Sequence, residues 1–279
     1  MRPLATAFPD RATLESVLDV AARAPSAGNL QPWRWRVDGT AVHLYADWRR
    51  EAGASPTDRR DVLLSCGALL DHCVVALGAA GWSPRVRLLP DGGDDSHLAI
   101  LEVIGQPPQA GQLELAEAIS RRRADRRRYR AGRIPGSTLE LMFIRAARLG
   151  VELAVVPRSR WVRRADGTVA LRFPEVAEEP DDGAVLLVLG TREDNDEMRL
   201  RAGEALSHIM LTATAMGLAS CPLTEPLNDM RSRLALACEV FDGEAHPQTL
   251  IRLGLPPVDD APPPPTERRS VGEITTWAT

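Results

Sequence analysis

Ala24-Pro25-Ser26-Ala27-Gly28-Asn29-Leu30-Gln31-Pro32-Trp33 connects a predicted helix to a predicted strand near the start of the chain. Proline, serine, glycine and asparagine are all common turn residues, so this segment is explained first as a tight connection. Taken alone, the segment predicts a turn and no particular chemistry. Its meaning depends on what the rest of the chain carries.

A second segment, Ile119 to Arg130, contains an unusually dense run of arginines: Arg121, Arg122, Arg123, Arg126, Arg127, Arg128 and Arg130. Such runs are most often solvated or face nucleic acid. Guanidinium groups can instead clamp a phosphate, because they present planar pairs of donors. The net charge of −4, the pI of about 5.8 and the single aromatic residue of the run, Tyr129, argue against a nucleic-acid partner.

Two internal repeats indicate that the chain is built from similar halves. The first repeat pairs Thr13-Leu14-Glu15 and Ala21-Ala22-Arg23 with Thr138-Leu139-Glu140 and Ala146-Ala147-Arg148. The second matches five positions of a long helix to five positions of another: Gly67, Leu70, His72, Ala79 and Gly81 with Gly203, Leu206, His208, Ala215 and Gly217. Each long helix is predicted to end at its last glycine.

Apolar runs around these helices predict four strands in each half. They are 34–37, 42–46, 86–89 and 98–104 in the first half, and 151–156, 185–189, 219–222 and 249–253 in the second. Both halves then read helix, strand, strand, helix, strand, strand, which predicts an α+β fold with a boundary between 1–110 and 111–279.

The long helices, 62–80 and 201–216, carry apolar residues on nearly every side, so each must be buried all round. We expect the halves to pack through these helices as an internal pseudo-dimer within one monomeric chain. His72 and His208, at equivalent positions on them, are interpreted as core or interface residues.

The composition excludes several function classes. The chain of 279 residues contains no lysine, so phosphate-loop NTPases and enzymes that use a lysine Schiff base are excluded. Its four cysteines form no CxxC pair, which favours buried reduced thiols over a metal site. The start of the chain has no signal-like apolar segment, and the longest clean apolar run, 73–82, is too short to cross a bilayer. We therefore predict a cytoplasmic protein with no membrane partner.

Together, the Pro-Ser-Asn loop and the arginine segment resemble the two parts of the FMN site of the nitroreductase superfamily, and the arrangement is similar to the Acg family of actinobacterial nitroreductase-like proteins. In that superfamily the site lies at a homodimer interface, where the arginine segment of one subunit meets the loop of the other. Here the first half carries only the loop and the second half only the arginine segment. The resemblance therefore implies two fused pseudo-symmetric halves with one FMN per chain.

The resemblance also implies roles for individual residues. Pro25, Ser26 and Asn29 would line the isoalloxazine, while Arg122 and Arg126, with Arg123 between them, would bind the phosphate and ribityl oxygens. The backbone N–H of Thr224 or Glu225 would face flavin N5, and Arg268 and Arg269 would close on the phosphate. The serine of the family's arginine motif is Ala124 here, which removes one hydroxyl donor.

Two functions follow from this resemblance. One is a protein that sequesters or stores FMN under a lid with little turnover; the other is an NAD(P)H-dependent oxidoreductase that reduces nitro compounds or quinones. The stretch that corresponds to the lid, Pro157 to Asp182, is shorter than the family leads one to expect. The sequence identifies no catalytic side chain and no metal ligand.

Overall fold

The computed structural model describes residues 8–50, 56–90, 93–173, 182–258 and 261–278 of the chain, and of residues 56–58 it describes the backbone alone. The contacts divide the chain into two compact units. The first contains residues 1–120 and 266–279, and the second contains residues 121–265.

The first unit is a five-stranded sheet with helices. Its elements in chain order are α1 (Arg11–Ala21), β1 (Trp33–Val37), β2 (Ala41–Ala46), α2 (Pro56–Ala79), β3 (Trp82–Leu88), β4 (His97–Gly105), α3 (Ala110–Arg121, whose last residue is counted with the second unit), α7 (Val271–Ile274) and β11 (Thr275–Trp277). The strand order is β11-β1-β2-β4-β3, with antiparallel pairing except between β11 and β1.

Local sequence explains the first elements of this unit. The Asp10 carboxylate caps α1 by accepting a hydrogen bond from the Thr13 N–H at 2.7 Å. In β1, Trp33 and Trp35 are almost fully buried while Arg34 between them is exposed, which is the two-residue alternation of a strand with one core face.

Helix α2 forms the core of the first unit. Within the described residues it is the one helix, over Arg59–Ala79, that is long and apolar enough to cross a membrane, and most of it is buried inside the protein. That burial is typical of a core helix. Gly81, just after its end, has φ +88°, a left-handed conformation that glycine adopts without steric cost.

The second unit contains a four-stranded sheet and a separate hairpin. Its elements are α4 (Gly136–Arg148), β5 (Glu152–Val155), β6 (Trp161–Arg163), β7 (Val169–Leu171), β8 (Val185–Thr191), α5 (Asp196–Ala215), β9 (Ala219–Leu223), α6 (Met230–Phe241) and β10 (His246–Gly254). The sheet order is β5-β8-β10-β9, all antiparallel, and β6 pairs with β7.

The sheet of the second unit is buried on both faces. Along β8, Leu187 and Leu189 pack into the cluster that contains α4 and α5, whereas Leu186 and Val188 pack into the cluster around Tyr129. This explains why β8 reads as a continuous apolar run instead of an alternating one.

The α+β fold and all eight predicted strands are confirmed. In both sheets the third predicted strand, β3 or β9, lies at the edge of the sheet, and the fourth, β4 or β10, lies in its interior. In both, a long buried helix, α2 or α5, joins the second predicted strand to the third. Gly217 follows α5 with φ +75°, matching Gly81 after α2. This shared order supports duplicated halves, which remain a prediction.

Several features differ from the sequence-based expectations. The C-terminal residues belong to the first unit, because β11 pairs with β1, and the contact boundary falls after Ser120 instead of at 110. Cys238 is exposed, unlike the other three cysteines, because it lies on the outer face of α6. The periodicity also missed α3, α6, β11 and the β6–β7 hairpin. The hairpin occupies part of the predicted lid stretch, of which residues 174–181 lie outside the described residues.

Candidate functional site

The Pro-Ser-Asn loop of the first unit has an unusual backbone. Gly28, Asn29 and Gln31 all have positive φ, at +54°, +57° and +50°. Left-handed backbone is accessible to glycine and tolerated by asparagine, but it costs about 1 kcal/mol or more at a residue such as glutamine. Strain of this kind persists only where the surroundings hold it, and it is concentrated at functional sites.

Hydrogen bonds hold this loop in place. The Gln31 N–H donates to Ser26 Oγ at 3.1 Å, and the Ala27 N–H donates to Ser65 Oγ of α2 at 3.2 Å. The Gln31 side chain, only 6% exposed, donates to the Asn29 carbonyl at 3.2 Å and accepts from the Arg269 N–H at 2.8 Å. Gln31 therefore organises the loop, a role that the sequence analysis did not assign to it.

Arg268 and Arg269 reach back to the same loop. The Arg268 guanidinium donates to Asn29 Oδ1 at 2.8 Å and to the Ala24 carbonyl at 3.2 Å. The Asn29 amide in turn donates to the Glu267 carbonyl at 3.2 Å. The structure thus brings Ser26, Asn29, Arg268 and Arg269 together, while Pro25 lies buried in the loop.

This cluster is electropositive. Burial and the neighbouring Arg50 guanidinium lower the pKa of Arg269, and the Asp47 and Glu273 carboxylates only partly offset them. Arg50 also donates to the Leu30 carbonyl at 2.7 Å, so it is fixed beside the loop. Guanidinium groups held close enough to repel one another are a favourable place for an anion. Arg50 was not predicted as a site residue; its place in the basic Arg49-Arg50 pair was the available signal.

In the second unit the arginine segment runs along the edge of the sheet. Ala124 forms a parallel bridge with Ser220 of β9, and Arg130 forms an antiparallel bridge with Leu255 just after β10. Tyr129 is 1% exposed, and its hydroxyl donates to the Asp125 carbonyl at 2.8 Å. The segment is therefore part of the fold and not a solvated tail.

Beneath the segment lies a buried charge, Arg252 of β10. Its guanidinium carbon is 4.0 Å from the centroid of the Tyr129 ring, and its Nη2 donates to the Asp125 and Arg127 carbonyls. Asp182 neutralises it with Oδ2 3.3 Å from Arg252 Nε, and both side chains are 0% exposed. Sequence patterns alone do not reveal this pair, although an arginine within the apolar run 249–253 is a visible anomaly.

The arginine side chains have different environments. Arg122 is buried, and Arg123 is half-buried with its Nε donating to the Pro263 carbonyl at 3.2 Å. Arg127 binds the Asp125 carboxylate with Nη2 at 2.8 Å. Burial of Asp125 opposes its ionisation, but the hydrogen bonds and charge of Arg127 outweigh it and lower the Asp125 pKa. Arg121, Arg128 and Arg130 are exposed.

Arg126 is paired with another predicted site residue. Its Nη2 lies 2.9 Å from Glu225 Oε1, and the two side chains are 47% and 58% exposed. Glu225 follows Thr224 at the end of β9 and begins a single 3₁₀ turn, Glu225–Leu227. The structure thus gathers Arg126, Thr224 and Glu225 into one region of the second unit. The Glu225 carboxylate competes with any anion for Arg126.

Comparisons with known proteins show the relationships of this chain. A model of the nitroreductase family matches residues 1–51. The Mycobacterium tuberculosis H37Rv protein named "Putative NAD(P)H nitroreductase Rv3131" is 39% identical over an alignment that covers 98% of this chain and 93% of that protein. From the same organism, "Putative NAD(P)H nitroreductase acg" is 31% identical, with 94% of each chain covered.

Among solved structures, that of a "putative nitroreductase" from Anabaena variabilis ATCC 29413 superposes on this chain with a TM-score of 0.63 at 12% sequence identity, covering 90% of each chain. This likeness shows a shared fold. The alignment with the Rv3131 protein spans 321 positions against 279 residues here, so that relative has at least 42 residues without a counterpart in this chain.

Proposed function

Because this chain belongs to the nitroreductase family, we propose that it is a flavoprotein that binds FMN with two sets of residues. The first set, in the first unit, is Pro25, Ser26, Asn29, Arg268 and Arg269; the second, in the second unit, is Arg122, Arg123, Arg126, Thr224 and Glu225. The observation that carries the proposal is the cluster of Arg50, Arg268 and Arg269 around a strained loop, where the pKa of Arg269 is lowered. A phosphate dianion would relieve the repulsion between guanidiniums that this arrangement imposes.

The donor chemistry of both sets fits FMN. In the first unit, Ser26 and Asn29 supply hydrogen-bonding groups for a polar heterocycle, beside the cationic Arg268 and Arg269. In the second unit, Arg122, Arg123 and Arg126 supply charge for a phosphate and a ribityl chain, and the backbone at Thr224 and Glu225 supplies donors for the ring. Ala124 contributes no hydroxyl, so its part is limited to backbone contacts.

Bound FMN supplies the capacity to accept and pass on a hydride. The residues in these sets are cations and hydrogen-bonding groups, which bind and orient a flavin. Ser26 and Thr224 add hydroxyl groups that can hydrogen-bond the flavin, and the carboxylate of Glu225 is tied to Arg126. We infer that binding FMN with little turnover is the primary function.

A second candidate is NAD(P)H-dependent reduction of nitro compounds or quinones. Two observations favour it: the names of the two Mycobacterium relatives, and the shorter length of this chain relative to the first of them. A shorter chain has less material with which to cover a flavin.

Flavin content tests the FMN proposal directly. Protein purified from a flavin-replete host is denatured, and the released flavin is identified and quantified against protein. We expect one FMN per chain. Arg126→Ala should reduce occupancy, while Arg121→Ala, an exposed arginine at the start of the same run, should not. Absence of flavin after reconstitution with excess FMN would contradict the proposal.

Anaerobic stopped-flow reduction separates the two functions. Storage predicts slow or absent bleaching by NADPH and NADH alongside normal bleaching by dithionite. Rapid bleaching by NADPH, followed by reoxidation with a nitroarene, would establish the oxidoreductase instead.

A further inference from the structure

Two histidines that are distant in sequence meet on the sheet of the first unit. His43 lies on β2 and His97 begins β4, the strand beside it. His43 Nδ1 and His97 Nε2 are 3.1 Å apart. The pair belongs to neither residue set of the proposed flavin site.

A carboxylate orients the His43 ring. Asp38 Oδ2 lies 3.0 Å from His43 Nε2, while its Oδ1 accepts hydrogen bonds from the Thr40 N–H and the Ala41 N–H, both at 3.0 Å. Asp38 therefore holds the His43 ring at Nε2, and Nδ1 of the same ring faces His97.

The second imidazole is held by its neighbours. His97 is 4% exposed, and its ring stacks on Tyr45 with centroids 4.4 Å apart. The His43 side chain is 15% exposed, so solvent reaches the pair from that side. On β1, Arg36 pairs in register with His43 and is the neighbouring cation.

We propose that His43 and His97 form a binding site for a late first-row divalent metal such as Cu²⁺ or Zn²⁺, with Asp38 as the outer carboxylate. Metal–imidazole bonds of about 2.0–2.1 Å and nitrogens 3.1 Å apart correspond to a ligand–metal–ligand angle of about 100°, between the octahedral and tetrahedral values. The carboxylate–histidine–metal arrangement is the usual way in which proteins orient an imidazole ligand.

The site is an open one. Among the residues that the structure describes, no group of three or more histidine, cysteine or carboxylate side chains is arranged to hold a metal. Water or a small ligand therefore completes the coordination. Metal binding replaces the hydrogen bond between the rings, because the ring nitrogen that donates it must give up its proton before it can bind a metal. Imidazole nitrogens prefer Cu²⁺ over Zn²⁺.

Calorimetric titration of the tag-free full-length chain with ZnCl₂ and CuCl₂ tests the site. We expect one equivalent of each metal, with Cu²⁺ bound more tightly. His43→Ala should abolish binding, and Asp38→Asn should weaken it about 10- to 100-fold, the usual effect of removing an outer carboxylate. His246→Ala, which removes an exposed histidine outside the pair, is the matched control and should bind normally.

Electron paramagnetic resonance of the Cu²⁺ complex gives an independent readout that does not depend on a variant folding. Hyperfine structure from two imidazole nitrogens supports the site. A wild-type chain that binds neither metal, a spectrum with fewer than two nitrogen ligands, or binding unchanged in His43→Ala would overturn it.

Discussion

Asp182→Ala should destabilise the second unit by about 3–5 kcal/mol, the usual cost of removing one partner from a buried ion pair. Asp182 and Arg252 are both 0% exposed, with Oδ2 and Nε 3.3 Å apart. After the substitution, the Arg252 guanidinium stays buried without its ion-pair partner, and the Asp125 carboxylate, whose pKa the charge of Arg252 helps to lower, remains. The Tyr129 and Ala184 N–H groups also lose their acceptor, Asp182 Oδ1, at 3.0 and 3.2 Å. The loss is large beside a typical total stability of about 5–15 kcal/mol.

Urea denaturation followed by circular dichroism measures this effect, and the matched control is Glu239→Gln. Glu239 pairs with Arg160 at 2.6 Å, but the two side chains are 30% and 22% exposed, so that substitution should cost at most about 1 kcal/mol. Replacing both buried charges, in Asp182→Asn with Arg252→Leu, should recover part of the loss. Hydrogen exchange should also show faster opening of the arginine segment in Asp182→Ala. Equal destabilisation by Asp182→Ala and Glu239→Gln would refute the reasoning.

Three further predictions concern single side chains. Arg126→Ala should weaken FMN binding about 10- to 100-fold, whereas Glu225→Gln should tighten it by up to about fivefold because it frees Arg126. Equilibrium fluorescence titration measures both affinities. Weaker FMN binding in Glu225→Gln would show that Glu225 is itself a flavin ligand. Native protein should expose one reactive thiol, Cys238, to a disulfide reagent, because burial protects the other cysteines and raises the pKa of Cys73 to about 12. More than one rapidly reacting thiol would contradict this. The pKa of Asp194 is lowered because its hydrogen bonds and the neighbouring cations outweigh its burial. The ionised carboxylate therefore stabilises the fold above about pH 4, and this stabilisation is lost as the pH falls below that value. Asp194→Asn should flatten the acid limb of a stability–pH profile measured by urea denaturation.

Much of the fold could be predicted because its determinants are local. Alternation in β1, with Trp33 and Trp35 inside and Arg34 outside, is a two-residue pattern that any strand with one buried face must show. The glycines after α2 and α5 mark helix ends for an equally local reason, since only glycine adopts left-handed backbone there at no cost. The eight strands and the two long helices followed from such patterns.

The candidate site was predictable only in part. Ser26, Asn29 and the arginine segment have distinctive residue types at a distinctive spacing, so sequence alone pointed to them. Nothing local to Arg126 indicates that Glu225, 99 residues later, would neutralise it. That pairing depends on β9 bringing the 3₁₀ turn beside the segment.

Sequence by itself therefore determined the eight predicted strands, the two long helices, the family resemblance and the residue types of the proposed flavin site. Tertiary structure alone decided that Arg252 meets Asp182, that His43 meets His97, 54 residues away, and that the C-terminal strand β11 joins β1. The physical reason is that backbone periodicity acts over a few residues. Charge pairing, burial and strand addition join groups whose proximity exists only after the chain has folded.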